Sequence, residues 1–157
     1  MTINGTTIVF FNSSCLIAAS GSPTGGSSVV LAICARGFLR GAVSPAVLAE
    51  AEGNIITNLP QPALTRYRQE ILSLPLIVAP TPSTAEREAV ASITGEKDAH
   101  VLAAALSVRA AFLLTLDKRL VSRITQEEEL SIHALSPGEV ITRKLPTHPA
   151  YHSLSGE

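Results

Sequence analysis

The chain has 157 residues, 46% of them hydrophobic, and a formal net charge of −1, which suits one globular domain with a substantial core. This charge excludes nucleic-acid binding through a broad basic surface, but not a small site that recruits phosphates through metal ions and a few arginines. We expect no membrane segment and no signal peptide, because the apolar runs are short and the N-terminus lacks positive charge. Cys15 and Cys34 lie in apolar surroundings, so we expect buried free thiols and a cytoplasmic protein.

The first half of the chain alternates uniformly apolar runs with helix signals. Ser44 and Pro45 form a typical helix start, with serine as N-cap and proline at the first helical position. Gly37 is a suitable residue to end the helix before it. The predicted elements are a strand at 6–11, a short helix at 12–19, a helix at 27–36, a strand at 38–43 and a helix at 46–52.

The second half continues the alternation. Glu86 stands three residues after Ser83, the spacing of a capping box. The predicted elements are a helix through 64–74, a strand at 75–79, helices from 83 and from 98, a strand at 112–116, a helix at 118–125 and a strand at 130–135. We therefore expect an α/β fold with three layers, α/β/α, and a mostly parallel central sheet. The predicted domain spans residues 1–142, followed by a flexible tail at 143–157.

The two aspartates of the chain, Asp98 and Asp117, hold equivalent places in this pattern. Asp98 begins a predicted helix of about 12 residues, which descends roughly 18 Å at 1.5 Å per residue. The following strand of about five residues climbs back roughly 16 Å and ends just before Asp117. Both carboxylates thus return to the sheet edge where strands end and helices begin, which is where open α/β sheets bind ligands.

Two further oxygen-bearing side chains are predicted at the same edge. Asn12 directly follows the first strand, and Glu50 lies about one and a half turns into the helix after the second strand. Neighbouring carboxylates repel one another, and a divalent cation removes that cost. Mg²⁺ and Mn²⁺ prefer oxygen ligands, and a metal-bound water is a usable nucleophile. The pattern indicates metal-assisted phosphodiester hydrolysis.

Each acidic residue also has a purely structural interpretation. Asp98 alone suits a helix N-cap with a favourable helix-dipole contact, and Asp117 alone suits a turn. Glu50 alone is typical of a solvated helix face, with Glu52 as an equal candidate for the site. The spacing by itself leaves the functional and structural interpretations about equally supported.

Four motifs contain these residues. The more specific ones are Lys97-Asp-Ala-His-Val-Leu-Ala-Ala-Ala105 and Thr115-Leu-Asp-Lys118; the weaker ones are Val9-Phe-Phe-Asn-Ser-Ser-Cys-Leu-Ile-Ala-Ala19 and Ser44-Pro-Ala-Val-Leu-Ala-Glu50. In these motifs the chain resembles the PIN domain family, the nuclease fold of many VapC-type toxins of toxin–antitoxin pairs, over roughly residues 7–141. The resemblance implies an RNA-cleaving enzyme that depends on Mg²⁺ or Mn²⁺. It also implies a homodimer, and an antitoxin protein as partner.

By this resemblance Glu50, Asp98 and Asp117 are the catalytic and metal-binding acids. The first acid of the family corresponds to Asn12, and the asparagine of its Asp-Thr-Asn-like triplet corresponds to Ser14. Ser13 and Thr115 take supporting positions. An amide oxygen ligates a metal without contributing charge, so we expect weaker metal affinity than with aspartate. The alternative hypothesis is a catalytically impaired PIN-like module that binds RNA or a protein.

Basic residues flank the two aspartates. Lys97, Lys118 and Arg119 are candidates for binding the phosphate backbone of RNA, with surface solubility as the equally supported alternative. His100 lies two residues beyond Asp98 and points away from it around the helix axis, so a packing or surface role is favoured over that of a general base. His148 and His152 have a metal-like spacing, but the prolines around them argue against a supporting helix.

Overall fold

The structure, a computed structural model, describes residues 2–154. It contains one five-stranded, all-parallel sheet with strand order β3-β2-β1-β4-β5. The strands are β1 (Ile8–Phe11), β2 (Arg40–Val43), β3 (Ile77–Val78), β4 (Phe112–Leu114) and β5 (His133–Leu135). The predicted α/β architecture with a parallel central sheet is confirmed.

Helices connect every pair of consecutive strands. The connecting helices are α1 (Ser13–Gly21), α2 (Gly26–Ala35), α3 (Pro45–Asn58), α4 (Gln61–Arg66), α5 (Thr84–Thr94), α6 (Ala99–Ser107) and α7 (Lys118–Thr125). Two further helices, α8 (Pro137–Glu139) and α9 (Tyr151–Leu154), follow β5. The Ser44 side chain caps α3 by accepting a hydrogen bond from Val47 N, at 3.2 Å. Ser83 and Glu86 form the predicted capping box of α5.

The strand order places a topological switch point between β1 and β4. The chain moves from β1 to β2 and β3 in one direction, then returns across β1 to add β4 and β5 on the other side. The helices divide accordingly, because α1 packs on α2, α3 and α4, whereas α5 packs on α6 and α7. In open α/β sheets the crevice at the carboxyl ends of strands beside such a reversal is the usual ligand site.

The central strands are buried on both faces, which explains their uniformly apolar sequences. In β1, Val9, Phe10 and Phe11 have no exposed surface, and all of β4 is buried against them. The carboxyl ends of β1 and β4 are in register, with Phe11 beside Leu114. Residues that directly follow these two strands therefore begin as close neighbours.

The predicted helix through 64–74 is interrupted. Helix α4 ends at Arg66, and Tyr67–Ile71 form a π-helical turn. Tyr67 is buried, and its hydroxyl group donates a hydrogen bond to the Leu48 carbonyl oxygen, at 2.9 Å. The predicted apolar stripe still faces the core. The winding differs, since periodicity does not distinguish one wider turn from a continuous helix. The helical structure also ends at Ile71, three residues before the end of the predicted helix.

The segment predicted as a flexible tail differs from that expectation over 143–154. It continues as a π-helical turn (Val140–Lys144), a 3₁₀ turn (Leu145–Thr147) and α9. Leu145 and His148 are buried; the His148 imidazole lies 2.7 Å from the Phe38 carbonyl oxygen and accepts a hydrogen bond from Ala150 N. These contacts hold the segment against the domain. The last three residues of the predicted tail, 155–157, lie outside the described residues.

The prediction of two buried free cysteines is confirmed. Cys15 and Cys34 are unpaired and buried, and burial raises the pKa of each thiol to about 12.

Within residues 2–154 no single helix is long and apolar enough to cross a membrane. Helices α1 and α2 pass such a test only as a pair, by length and composition, and are bent by 100° relative to each other.

Candidate active site

Asn12 is fixed at the end of β1 by both halves of its amide. Its Oδ1 accepts a hydrogen bond from Ser13 N at 2.8 Å, which caps α1, and its Nδ2 donates to Thr115 Oγ1 at 3.1 Å. The backbone N–H of Asn12 also donates to the Leu114 carbonyl oxygen. The side chain is buried and carries no charge. Asn12 thus ties the end of β1 to the residue that follows β4.

Thr115 is the hub of this polar network. Its hydroxyl group is fully buried and accepts hydrogen bonds from Asn12 Nδ2 and from Asp117 N, each at 3.1 Å. Ser14 Oγ lies 3.4 Å from the same hydroxyl oxygen and accepts from Leu116 N at 3.1 Å. Sequence comparison treated Ser14 only as a departure from the family pattern. In the structure, the hydrogen bond from Leu116 N to Ser14 Oγ fixes the backbone just before Asp117.

Glu50 faces the end of β1, and Glu52 does not. The Ser13 hydroxyl group donates a hydrogen bond to Glu50 Oε1. Glu52 instead forms an ion pair with Arg68 at 3.2 Å. The two glutamates were equal candidates by sequence, because an exposed helix face offers no local signal for direction. The contact with Ser13 distinguishes them in favour of Glu50.

Asp98 begins α6 without capping it, since its side chain makes no hydrogen bond to the first turn. Burial raises the pKa of the Asp98 carboxyl group, and the charges of Asp117 and Glu50 raise it further, while Lys97 and His100 oppose the shift. The structural interpretation of Asp98 as a helix N-cap is therefore not supported. Its carboxylate lies within electrostatic range of two other carboxylates from distant parts of the sequence.

Asp117 does act as a helix cap. Its Oδ1 accepts hydrogen bonds from Arg119 N at 2.9 Å and from Leu120 N at 3.2 Å, at the start of α7. The sequence interpretation of Asp117 alone was a turn residue; in the structure one oxygen of its side chain caps α7 instead. The side chain is exposed, so the carboxylate also faces solvent at the sheet edge.

The donor set is suited to a hard cation by its chemistry. Carboxylate and amide oxygens are the ligands that Mg²⁺ prefers, and Mg²⁺ commonly binds through only one or two carboxylates together with waters and phosphate oxygens. In the side-chain arrangement of residues 2–154, no group of three or more His, Cys, Asp or Glu residues is gathered closely enough to hold a metal ion. The carboxylates share an electrostatic environment without forming a compact ligand cluster.

The basic residues near the aspartates are all on the surface. The side chains are exposed at Lys97, Lys118 and Arg119. The positive charge of Lys97 lowers the pKa of Asp98 and so opposes its upward shift. His100 also lowers the pKa of Asp98. The Nδ1 atom of His100 is buried and has no hydrogen-bond partner among the described residues. The sequence favoured a packing or surface role for His100; in the structure the residue is partly buried.

Fold and site together define an α/β domain with acidic residues at the switch point of a parallel sheet. The chain belongs to the PIN domain family, whose family model matches residues 9–119. This match includes Asn12, Glu50, Asp98 and Asp117. Comparison with curated proteins found no matching sequence.

Solved structures share the fold at low sequence identity. The chain is similar to PAE2754 from Pyrobaculum aerophilum, with a TM-score of 0.59, 18% identity and coverage of 96% of this chain and 91% of the other. It is similar to VapBC2 from Rickettsia felis bound to a DNA fragment from its promoter, with a TM-score of 0.60, 15% identity and coverage of 83% and 98%. It is also similar to VapBC-1 from nontypeable Haemophilus influenzae, with a TM-score of 0.55, 13% identity and coverage of 84% of this chain and 99% of the other.

Proposed function

We propose that this protein is a metal-dependent endoribonuclease of the PIN type that acts as the toxin of a toxin–antitoxin pair. Glu50, Asp98 and Asp117 are the metal-binding acids, with Asn12 as a neutral fourth member. The observation that carries the proposal is the polar network at the carboxyl ends of β1 and β4, where Asn12 bonds to Thr115 and Ser13 bonds to Glu50. The charges of Asp117 and Glu50 also act on Asp98 and raise its pKa. A cation at this edge would relieve the repulsion among these carboxylates.

In this proposal the acidic, hydroxyl-bearing and basic residues of the site have different roles. Glu50, Asp98 and Asp117 would hold a Mg²⁺ or Mn²⁺ ion, which would supply a nucleophilic water and neutralise charge at the scissile phosphate. Ser13 orients Glu50 through its hydroxyl group, and Thr115 fixes Asn12 and the backbone of Asp117. Lys97, Lys118 and Arg119 bind the phosphates that flank the cleaved bond; such contacts position an RNA strand without selecting its sequence.

The decisive variant is Asn12→Asp, which adds a fourth negative charge where the network now holds an amide. We expect it to raise Mn²⁺ affinity and ribonuclease activity, each about ten-fold, because one additional charge at short range is worth about 1 kcal/mol or more. Mn²⁺ titration by calorimetry and cleavage of a mixed single-stranded RNA measure the two effects.

Asn4→Asp is the matched control, since Asn4 is exposed and precedes β1, at the opposite edge of the sheet from Asn12. This variant adds the same negative charge and should change neither the Mn²⁺ affinity nor the ribonuclease activity. If the parent and Asn12→Asp are equally active, charge at this position does not limit the reaction. If neither cleaves RNA, the enzyme proposal fails.

A specific observation favours the alternative of a catalytically impaired binding module. Both halves of the Asn12 amide are engaged within the protein, so only one lone pair of Oδ1 remains for a metal, and this oxygen carries no charge. A protein of this kind binds RNA or a protein without turnover. Calorimetry separates the two functions, because the module is expected to bind no Mn²⁺ and the enzyme to bind it measurably.

The partners in this proposal are RNA, an antitoxin protein and a second copy of the chain. The antitoxin is supported by the similarity to the two VapBC structures, and a short neighbouring gene for a small DNA-binding protein would support it directly. The two buried free thiols support a reducing, cytoplasmic location. Sedimentation of the purified chain tests the homodimer.

A further inference from the structure

A groove of about 570 Å³ lies along β5, the last strand at one end of the sheet. Its floor is apolar and is formed by Val121 and Ile124 of α7 and by Leu130, Ile132 and Leu135. Three of these side chains are only partly buried, namely Val121, Leu130 and Leu135. This surface, which we call the β5 groove, includes none of the proposed metal-binding residues and is therefore a feature of its own.

The outer side of β5 has backbone groups that are directed away from the sheet. Its inner side bonds to β4 and the residues around it, because His133 N donates to the Ala111 carbonyl oxygen and the Leu135 carbonyl oxygen accepts from Thr115 N. Successive residues of a strand direct their backbone groups to opposite sides, so the N–H and C=O of Ala134 face outward. No further strand pairs with this side in the part of the chain that the structure describes. An extended segment fits here as a sixth strand.

The charged residues of the β5 groove are mainly acidic. Glu127 and Glu128 precede β5, have exposed side chains and form no ion pair among the described residues. Glu139 follows β5, and its charge is matched by Arg143, whose Nη1 lies 3.1 Å from Glu139 Oε2. The lining thus holds three glutamates and one arginine, which leaves two negative charges without a partner. This charge favours a basic occupant.

We propose that the β5 groove binds an extended, basic segment of a partner protein as an added strand. The segment pairs with the backbone of Ala134, rests alternate apolar side chains on the floor, and places lysine or arginine beside Glu127 and Glu128. RNA is disfavoured, because its phosphates meet the unpaired glutamates. A second copy of the chain is disfavoured too, because its own β5 groove carries the same glutamates. The inference goes beyond the proposed function and does not depend on ribonuclease activity.

The first test measures peptide binding to the parent protein by calorimetry at low salt, without RNA or metal ions. The probe is a capped hexapeptide with arginine at both ends and alternating valine and threonine between them. A second peptide has glutamate at both ends, and a third has the arginines but N-methylated valines and threonines, which cannot donate strand hydrogen bonds. We expect each of these two controls to bind about ten-fold more weakly than the probe or worse, because one reverses the charge and the other removes the backbone pairing.

The second test uses the double variant Glu127→Gln/Glu128→Gln, which should fold because both side chains are exposed. We expect it to bind the arginine peptide about five-fold more weakly, the size typical of losing two exposed ion pairs. The matched control is Glu88→Gln/Glu96→Gln, which removes two charges from exposed residues outside the groove and should bind normally. Raising the salt concentration should reduce the difference between the two double variants.

Three results would overturn the inference. The first is a parent protein that does not prefer the arginine peptide to the glutamate peptide, or a groove variant that binds like its control. The second is equal binding of the N-methylated peptide, which would exclude strand pairing. The third is a chain dimer that strengthens in Glu127→Gln/Glu128→Gln without peptide, which would assign the β5 groove to a second copy. Because these measurements contain neither RNA nor metal, failure of the ribonuclease proposal would leave them unaffected.

Discussion

The N-termini of α6 and α7 carry the same residue type at the same helix position, yet the two sites are built differently. Asp117 accepts two backbone hydrogen bonds from α7, and its own N–H is held by Thr115. Asp98 makes no cap bond, and its carboxyl group is half-buried near two other acids. Asp117 therefore stabilises the fold while it faces the site, whereas Asp98 is present at a cost to stability.

This difference bears on the roles that the proposed function gives to the two carboxylates. A residue that caps its own helix has a structural role, whereas a carboxylate with a raised pKa and no cap bond is common at functional sites. We therefore expect ligand binding to depend on Asp98 and folding to depend more on Asp117. Four experiments on variants test this comparison between Asp98 and Asp117.

The largest expected effect is on catalysis at Asp98. In the Mn²⁺-dependent ribonuclease assay, Asp98→Asn should lower activity about a hundred-fold or more, the size typical for removing one electrostatic group from an active site. Glu96→Gln removes the same charge from an exposed neighbouring residue and should retain activity. Equal activity of Asp98→Asn and the parent would remove Asp98 from the site.

The next effect concerns the attachment of the Asp117 region. Thr115→Val removes the acceptor used by Asn12 Nδ2 and Asp117 N, so one buried and one partly buried donor lose their partner. We expect the free energy of unfolding to fall by about 2 kcal/mol in urea denaturation. Thr115→Ser keeps the hydroxyl group, so its free energy of unfolding should fall less than that of Thr115→Val. A larger fall in the serine variant would contradict the role of this hydroxyl group as the shared acceptor.

A smaller effect separates the two aspartates by stability alone. Asp117→Ala removes the cap of α7 and should cost about 1 kcal/mol, or roughly 2–4 °C in Tm for a chain of this size. Asp98→Ala removes no cap and relieves carboxylate repulsion, so its Tm should not fall. Thermal denaturation with EDTA present measures both variants, and an equal fall would refute the comparison.

The smallest effect is a pH dependence that belongs to Asp98. Because the folded state raises the pKa of Asp98, it binds more protons than the unfolded chain between the ordinary pKa of aspartate, about 3.9, and the raised value. Stability is therefore lost as the pH rises through that interval. Relative to Asp98→Asn, the parent should be less stable at neutral pH, and the gap should close on acidification. A gap that is constant with pH would exclude this origin.

Local sequence signals predicted much of the fold and the approximate place of the site. Ser44 caps α3 and Ser83 forms a capping box with Glu86, as expected, because these interactions depend on residues only three apart. The packing of the chain end was not predicted. It depends on contacts between His148 and Phe38, which are 110 residues apart in the sequence.

Side-chain direction was the other part that the sequence left open. Glu50 and Glu52 are equivalent as helix residues, and only Ser13 and Arg68, from other elements, distinguish them. Asp98 and Asp117 are both suited to cap a helix by residue type. Only the backbone at each helix start decides that Asp117 accepts cap bonds and Asp98 does not.

The sequence by itself determined the alternating strands and helices, the buried character of β1 and β4, and the chain positions of the four oxygen-bearing residues, since periodicity and capping are local properties. The tertiary structure alone decided the strand order, and with it the switch point between β1 and β4. That order sets which distant residues are neighbours. The network around Thr115 and the raised pKa of Asp98 are consequences of it, because hydrogen bonds and charge repulsion depend on distance in space.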